Sequence, residues 1–252
     1  MFEVDGLSKA FHGVKAVDGV SFKLAKGSIT SLIGPNGAGK TTLINMVTGV
    51  IAPTRGSITF KGQMLTGLRP HAIAALGVRR TFQTVRLFTG MTVRENLLVG
   101  RLRHLFSQHW ASLLLPMGLG DAAGRRRAND VLALLGLEHI VDEIAGDLPY
   151  GIQRRVEVAR ALMGSPDFVL LDEPAAGMNE IETEQLVCDV RKIRDQGVTV
   201  LLIEHDMAMV MDVSDKIVVL NFGLKIAEGT PAQIQRDPAV ITSYLGPGGV
   251  LT

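Results

Sequence analysis

Short apolar runs separated by segments of helical spacing organise most of the chain. The runs predict buried strands at Ser28–Ile33, Phe168–Asp172, Thr199–Glu204 and Lys216–Asn221. Apolar residues at helical spacing predict helices at Lys40–Val47, Ile181–Asp195 and Met207–Val213. Strands that alternate with helices favour an α/β fold with a mostly parallel sheet covered on both faces.

The first sixty residues and the middle of the chain have different patterns. Phe2–Val4, Val20–Leu24 and Ser57–Phe60 are short strand-like pieces bounded by glycine, which predicts an antiparallel region beside the sheet. From about residue 84 to residue 160, leucine, alanine, arginine and glutamate at helical spacing predict an inserted helical subdomain. We therefore expect a single domain over residues 1–252, whose core is formed by residues 1–83 and 161–252.

Composition narrows the function classes. The 252 residues carry a net charge of +1, so no overall basic surface for nucleic acid is expected. The only cysteine, Cys188, excludes a disulfide framework, and we expect it to be a packed, inert thiol on a helix. With neither a secretory signal pattern nor an apolar run of membrane-spanning length, we expect a cytosolic protein.

A glycine-rich stretch follows the strand predicted at Ser28–Ile33 and fits the pattern G-x-x-x-x-G-K-[ST]. It consists of Gly34, Pro35, Asn36, Gly37, Ala38, Gly39, Lys40, Thr41 and Thr42. Glycines let consecutive N–H groups cradle phosphate oxygens, and the helix that follows adds its positive dipole end. Lys40 can reach the β- and γ-phosphates, and the Thr41 hydroxyl can bind Mg²⁺. The stretch predicts a nucleoside triphosphate site.

Polar residues after two more strands complete the candidate chemistry. Asp172 and Glu173 follow a buried strand; acids there are as often helix caps, but beside a phosphate loop they favour catalysis. Asp172 is expected to hold Mg²⁺, and Glu173 to orient or deprotonate the attacking water. His205 also follows a strand, and although a lone histidine is more often structural, this one can donate to the γ-phosphate. Gln83, where core meets helical subdomain, can offer its carbonyl oxygen to Mg²⁺ or water.

The segment Leu148-Pro149-Tyr150-Gly151-Ile152-Gln153 resembles the signature of ATP-binding-cassette proteins, usually Leu-Ser-Gly-Gly-Gln followed by a basic helix. The resemblance covers nearly the whole chain and implies a phosphate-loop NTPase core with an antiparallel β region and an inserted α-helical subdomain. It also implies roles for single residues. Phe11 would stack on adenine, and Gly34–Thr42 would form the phosphate loop. Gln83 would be the glutamine that joins the core to the helical subdomain, Asp172 and Glu173 the metal-binding and catalytic acids, and His205 the switch histidine.

The signature departs from the usual form at several positions. Pro149 replaces the serine, and a proline is tolerated in the first turn of a helix. Ile152 replaces the glutamine. Tyr150, Gly151 and Gln153 are the residues that the resemblance implies for contact with ATP held by another subunit. Asn179 replaces an aspartate of the family, and its neutral amide can still form hydrogen bonds across an interface.

The departures themselves resemble one branch of the family. The segments Asp-Glu-Pro-Ala-Ala-Gly-Met-Asn and Ile-Glu-His-Asp-Met, with the ending Glu228–Gly246, are similar to ATPase subunits of branched-chain and hydrophobic amino-acid importers, the LivG type. The stretch Arg101–Gly120 is expected in that branch, either as packing within the helical subdomain or as contact with a membrane subunit.

The resemblance implies ATP and Mg²⁺ as cofactors and a head-to-tail dimer in which each ATP lies between two cassettes. It implies integral membrane permease subunits as partners, and indirectly a periplasmic or extracellular binding protein. The chain would be cytoplasmic and peripheral on the inner face of the cell membrane. The alternatives are a cassette of another transporter such as a lipopolysaccharide exporter, a soluble ATPase that acts with nucleic acid, and a non-hydrolysing regulatory cassette. The cargo, and the choice between a homodimer and a paralogue pair, stay open.

Overall fold

The structure is a computed structural model and describes residues 2–101 and 122–245. Within these residues the strands are β1 (Phe2–Phe11), β2 (Val14–Leu24), β3 (Ile29–Ile33), β4 (Arg55–Phe60), β5 (Gln63–Met64), β6 (Val78–Arg80), β7 (Phe168–Asp172), β8 (Thr199–Ile203), β9 (Lys216–Asn221) and β10 (Leu224–Gly229). The helices are α1 (Lys40–Val47), α2 (Pro70–Ala75), α3 (Val93–Val99), α4 (Ala122–Leu135), α5 (Tyr150–Leu162), α6 (Glu180–Asp195), α7 (Met207–Val213), α8 (Pro231–Ile234) and α9 (Pro238–Leu245). Two 3-10 turns lie at Glu138–Ile140 and Ala145–Asp147.

The larger sheet has the strand order β10-β9-β3-β8-β7-β6 and is parallel except at β10, which confirms the predicted mostly parallel sheet. Strands β3, β7 and β8 are buried along their whole length, which explains why apolar residues fill most of their positions. Ile203 at the end of β8 pairs with both Asp172 of β7 and Leu32 of β3. The carboxyl ends of these strands therefore meet at one edge, and the loops that follow them share it.

The smaller sheet is antiparallel, in the order β2-β1-β4-β5, as the first sixty residues predicted. Its strands are longer than the predicted pieces, because β1 and β2 form one hairpin. The two sheets pack through aromatic rings: Phe2 stacks on Phe168 with 4.7 Å between centroids, and Phe60 lies 6.2 Å from each. This contact fixes the antiparallel sheet on one face of the larger one.

Neighbouring residues of β7 point to opposite faces of the larger sheet. Phe168 and Leu170 join the core shared with the antiparallel sheet and α1, whereas Val169 and Leu171 join the core under the helices. A third cluster, around Ile33, includes Ile234 of α8 and Val240 of α9. The sheet is thus covered on both faces, and its carboxyl edge is left for the loops.

Helices α3, α4 and α5 pack on one another in the chain between β6 and β7. Thr92 and Glu95 form a reciprocal capping box that fixes the start of α3. Arg155 of α5 pairs with Asp189 of α6, with 2.6 Å between Nε and Oδ2, so α5 is fastened to a helix of the core. The subdomain boundaries at residues 84 and 160 stay a prediction.

The expectation of a packed thiol at Cys188 is wrong. Cys188 is exposed on α6, while Leu186, Val187 and Val190 of the same helix face the core. The helix is amphipathic, and Cys188 lies on its exposed face.

The stretch Arg101–Gly120 was expected either to pack within the helical subdomain or to contact a membrane subunit. Apart from Arg101, its residues lie outside the described part of the chain. Across residues 2–101 and 122–245, none of the helices combines the length and the apolar character that a membrane crossing requires.

Candidate active site

The phosphate loop, residues 34–39, joins β3 to α1 at the carboxyl edge of the larger sheet. Two of its glycines are required by crowding from the backbone. A Cβ on Gly34 would lie 2.2 Å from the Leu220 carbonyl oxygen. Gly39 has a φ of +100°, and a Cβ there would lie 2.4 Å from the Ala16 carbonyl oxygen. The loop can therefore keep its tight curl only with glycine at these positions.

Lys40 extends back over this curl. Its Nζ donates to the carbonyl oxygens of Gly34 at 2.5 Å and Pro35 at 3.1 Å. Partial burial lowers the pKa of Lys40, and the negative charge of Glu173 opposes that effect. The ammonium and the carboxylate therefore face the same space, although they are far apart in the chain.

Helix α1 begins at Lys40, and none of the described side chains caps its first turn. The first N–H groups of a helix have no partner inside it, and the positive end of its dipole lies there. Neither acid nor other negative charge occupies that turn, which contains Thr41 and Thr42. The start of α1 beside Lys40 is suited to a phosphate.

Asp172 ends β7 and is only 9% exposed. Its Oδ2 lies 2.8 Å from Nη2 of Arg80 on the neighbouring strand β6. Arg80 also donates to Oδ1 of Asn45 on α1 at 2.8 Å and to Oγ1 of Thr48, the residue after α1, at 3.2 Å. Arg80 thus ties the predicted metal-binding acid to the helix of the phosphate loop. Sequence analysis missed this residue, because the three-residue strand β6 is too short to be recognised from its pattern.

Glu173 and Gln83 are brought together at the same edge. Gln83 Nε2 donates to Glu173 Oε2 at 2.6 Å, although 90 residues separate them. Glu173 has a φ of +47°, in the left-handed region that non-glycine residues avoid, and its N–H donates to Ile203 O at 2.9 Å. Such a conformation costs about 1–3 kcal/mol and occurs most often at functional sites.

His205 follows β8 and has a side chain that is 67% exposed. The residue before it, Glu204, is buried and accepts hydrogen bonds from the N–H groups of Ala175 at 2.8 Å and His205 at 3.1 Å. Burial raises the pKa of Glu204, and these backbone donors act against the rise. Glu204 joins the loop of Glu173 to the loop of His205, a role that sequence analysis did not assign.

The signature residues lie at the start of α5, with Pro149 as the residue before its first turn. Tyr150 is 43% exposed, and Gln153 folds back to donate from Nε2 to the Leu148 carbonyl at 2.8 Å. None of the residues in the first turn of α5 is acidic, and the side chain of Pro149 does not cap it. This helix start therefore also presents unpaired N–H groups and a positive dipole end.

Gly151 lies close against the side chain of its neighbour Glu182 on α6. A Cβ on Gly151 would lie 2.4 Å from Glu182 Oε1. Glu182 and Asn179 form a capping box, in which each side chain accepts from the backbone N–H of the other. The side-chain oxygen Oδ1 of Asn179 therefore caps α6. The side-chain amide nitrogen Nδ2 is the group that can form hydrogen bonds across an interface.

Phe11 ends β1 and is 44% exposed, with the Lys9 ammonium 5.2 Å from its ring centroid. An exposed ring offers a flat face on which a nucleobase can stack. Phe11 pairs with Val14 of β2, the strand whose Ala16 carbonyl oxygen lies against Gly39 of the phosphate loop.

The structure thus gathers most of the predicted residues at one edge. The phosphate loop, Lys40, Gln83 and Glu173 share it, and Asp172 lies beside them. The arrangement can bind a triphosphate and position a water molecule with a carboxylate.

Comparison with known proteins agrees with this geometry. The chain matches the family model described as ABC transporter over residues 17–176, and one described as branched-chain amino acid ATP-binding cassette transporter over residues 225–246. It is 47% identical to the high-affinity branched-chain amino acid transport ATP-binding protein BraF of Pseudomonas aeruginosa, over 98% of each chain. It is 45% identical to LivG of Salmonella typhimurium, again over 98% of each. A crystal structure of the ADP conformation of an ATP-binding cassette of an ABC transporter superposes with a TM-score of 0.86 at 34% identity, covering 98% of this chain and 99% of the other. The chain therefore belongs to the ABC transporter family and is an ATP-binding cassette ATPase.

Proposed function

We propose that the chain is the ATP-hydrolysing subunit of a membrane importer and that its cargo is a branched-chain or another hydrophobic amino acid. The observation that carries the hydrolytic role is the contact between Glu173 and Gln83 in the space that Lys40 faces. Support for the cargo comes from the names of the relatives and from the family match of residues 225–246.

ATP binds with its phosphates in the loop and its adenine on Phe11. The N–H groups of the loop and of the first turn of α1 donate hydrogen bonds to the β- and γ-phosphates. Lys40 turns from the carbonyls of Gly34 and Pro35 to the phosphates, which are stronger partners for an ammonium.

The oxygen donors at this edge fit Mg²⁺. Proteins commonly hold Mg²⁺ through one or two carboxylates together with substrate phosphates. The described residues contain no group of three or more His, Cys, Asp or Glu that could hold a metal alone. The Thr41 hydroxyl, the Gln83 carbonyl oxygen and the Asp172 carboxylate would hold it, and Asp172 engages Arg80 through Oδ2 only. A bound Mg²⁺ supplies neutralisation of charge on the phosphate oxygens.

Hydrolysis then depends on positions set by this chain. Glu173 orients the attacking water and accepts its proton, while Gln83 keeps the carboxylate directed at the phosphates. His205 donates a hydrogen bond to the γ-phosphate, and Lys40 stabilises the negative charge that develops there. The strained backbone at Glu173 is consistent with this task, because it fixes the carboxylate before ATP arrives.

A second cassette completes the site. The start of α5, with Tyr150, Gly151 and Gln153, presents N–H groups and a positive dipole end like those of α1. We infer that this end contacts the γ-phosphate held by the partner subunit in a head-to-tail dimer. The partner is a second copy of this chain or a paralogue.

The remaining partners are membrane subunits. Val50 and Phe82, which are 56% and 39% exposed, line one groove together with Pro70 and Arg80. The groove adjoins Gln83, so a permease segment bound there would sense changes at the catalytic edge. The chain would then lie peripherally on the inner face of the cell membrane. A periplasmic or extracellular binding protein would deliver cargo to the permeases and not to this chain.

The test is reconstitution in lipid vesicles with permease subunits and a binding protein of a branched-chain amino-acid importer. With ATP on the side of the cassette, labelled leucine should enter the vesicles, and Glu173→Gln should abolish its entry. ATP hydrolysis without uptake, but with release of lipopolysaccharide or stimulation by nucleic acid, would favour another transporter or a soluble ATPase. No hydrolysis under any of these conditions would refute the enzymatic role.

A further inference from the structure

Arg154 lies where three elements of the proposed mechanism meet. It is in the second turn of α5 and is only 3% exposed. Its Nη1 donates to the Phe82 carbonyl oxygen at 2.9 Å, and its Nη2 donates to the Gln83 carbonyl oxygen. Nη2 also lies 3.5 Å from the carbonyl oxygen of Glu173. A single guanidinium group thus binds the main chain at Phe82 and Gln83 and also reaches the main chain of Glu173.

The same side chain contacts the signature. The Arg154 guanidinium lies 5.4 Å from the ring centroid of Tyr150, one turn earlier on α5. Glu157, on the following turn, balances its charge, with 3.5 Å between Nη1 and Oε2. Burial raises the pKa of Glu157, and the neighbouring arginines oppose that rise. Arg154 therefore has a counter-ion on its own helix, and its carbonyl contacts are additional to charge balance.

These contacts close a ring. Arg154 holds Gln83 through the main chain, and Gln83 holds Glu173 through its side chain, with 2.6 Å between Nε2 and Oε2. The planar fork of an arginine can bond two successive carbonyls at once, which the single ammonium of a lysine cannot match. A rotation of α5 would therefore carry Gln83 with it and change the support of the Glu173 carboxylate.

We propose that Arg154 is a positioning residue that couples the signature end of α5 to Gln83 and Glu173. Engagement of the signature by ATP in the partner subunit shifts α5, and Arg154 converts that shift into alignment of the acid in its own subunit. The coupling makes hydrolysis depend on both sites being closed, as in other ligand-driven domain motions. This inference rests on the proposed ATP hydrolysis.

The test compares ATP hydrolysis by the full chain and by three variants. Arg154→Gln should lower kcat by about 10-fold to 100-fold, the usual effect of a small misplacement of catalytic groups, and leave the ATP KM within about twofold. Arg154→Lys should be intermediate. Arg160→Gln is the matched control, because Arg160 also lies on α5 and pairs with Glu157, but bonds the Arg86 carbonyl instead. Its kcat should stay within about twofold of the wild type.

A double-mutant cycle separates coupling from general damage. If Arg154 acts through Gln83, then Arg154→Gln with Gln83→Ala should have the kcat of the slower single variant. Multiplied effects, or a wild-type kcat for Arg154→Gln, would overturn the inference. Should Arg154→Gln fail to fold by circular dichroism, Arg154→Lys takes its place in the cycle. An inactive wild-type chain would refute the proposed function instead, so the two failures are distinguishable.

Discussion

Substitution of Arg155 by methionine should lower the free energy of unfolding by about 3–5 kcal/mol, because it leaves the buried Asp189 carboxylate without its cation. Arg155 bonds Asp189 twice, from Nε to Oδ2 at 2.6 Å and from Nη2 to Oδ1 at 3.3 Å. The Asp189 side chain is 1% exposed, so water cannot replace the lost partner. Arg155 also bonds the Leu135 carbonyl at 2.5 Å, which joins α4 to the same pair.

The loss should depend on pH. Burial raises the pKa of Asp189, and the hydrogen bond and charge of Arg155 oppose that rise. Without Arg155 the pKa rises further, so the folded state binds a proton more readily than the unfolded state does. The variant should therefore lose most stability above this raised pKa and recover stability as the pH falls toward the ordinary range of an aspartate.

Urea unfolding followed by circular dichroism, at about pH 8 and about pH 5, measures both effects. Arg155→Met with Asp189→Leu should regain most of the loss, since no charge is then left buried. Arg191→Met is the surface control, because Arg191 and Asp212 form an exposed pair, and it should change stability by less than about 0.5 kcal/mol. A loss below about 1 kcal/mol for Arg155→Met, or an equal loss at both pH values, would show that the substitution does not leave an uncompensated buried charge at Asp189.

Three further outcomes follow from single residues. Lys40→Ala should weaken ATP binding by about 10-fold to 100-fold in calorimetry, through loss of charged hydrogen bonds; an unchanged Kd would count against the phosphate loop. Gly151→Ala should push Glu182 off its capping bond and lower Tm by about 1–4 °C, whereas in a Glu182→Ala background it should cost nothing; equal losses in both backgrounds would exclude the clash. Iodoacetamide should label Cys188 in the folded chain without changing the ATPase rate, and resistance to labelling would contradict its exposure.

Features written in contiguous sequence could be predicted. The strands β7 and β9 and the helices α1 and α7 have the bounds that their apolar patterns predicted. The spacing of apolar residues and the residues that end an element are both local properties of the sequence. The phosphate loop was recognisable for the same reason. Which face of α6 packs against the core was not recognisable, and the expectation that Cys188 is packed was therefore wrong.

Contacts between distant segments could not be derived from pattern. Arg80 and Asp172 are 92 positions apart, and only the sheet order, which puts β6 beside β7, makes them neighbours. Glu204 was passed over because a buried acid before a histidine has no distinctive spacing. The sequence pattern gives no signal for Arg154, since the carbonyls that it binds lie on a loop of no regular structure.

Phosphate release by Glu173→Gln tests the role of the catalytic acid most directly. We expect this variant to bind ATP as tightly as the wild type, to form a dimer on ATP addition, and to hydrolyse ATP about 100-fold to 10,000-fold more slowly. Glu180→Gln, at an exposed acid that begins α6, should keep the wild-type rate. Wild-type turnover in purified Glu173→Gln protein would contradict the assignment of the catalytic acid.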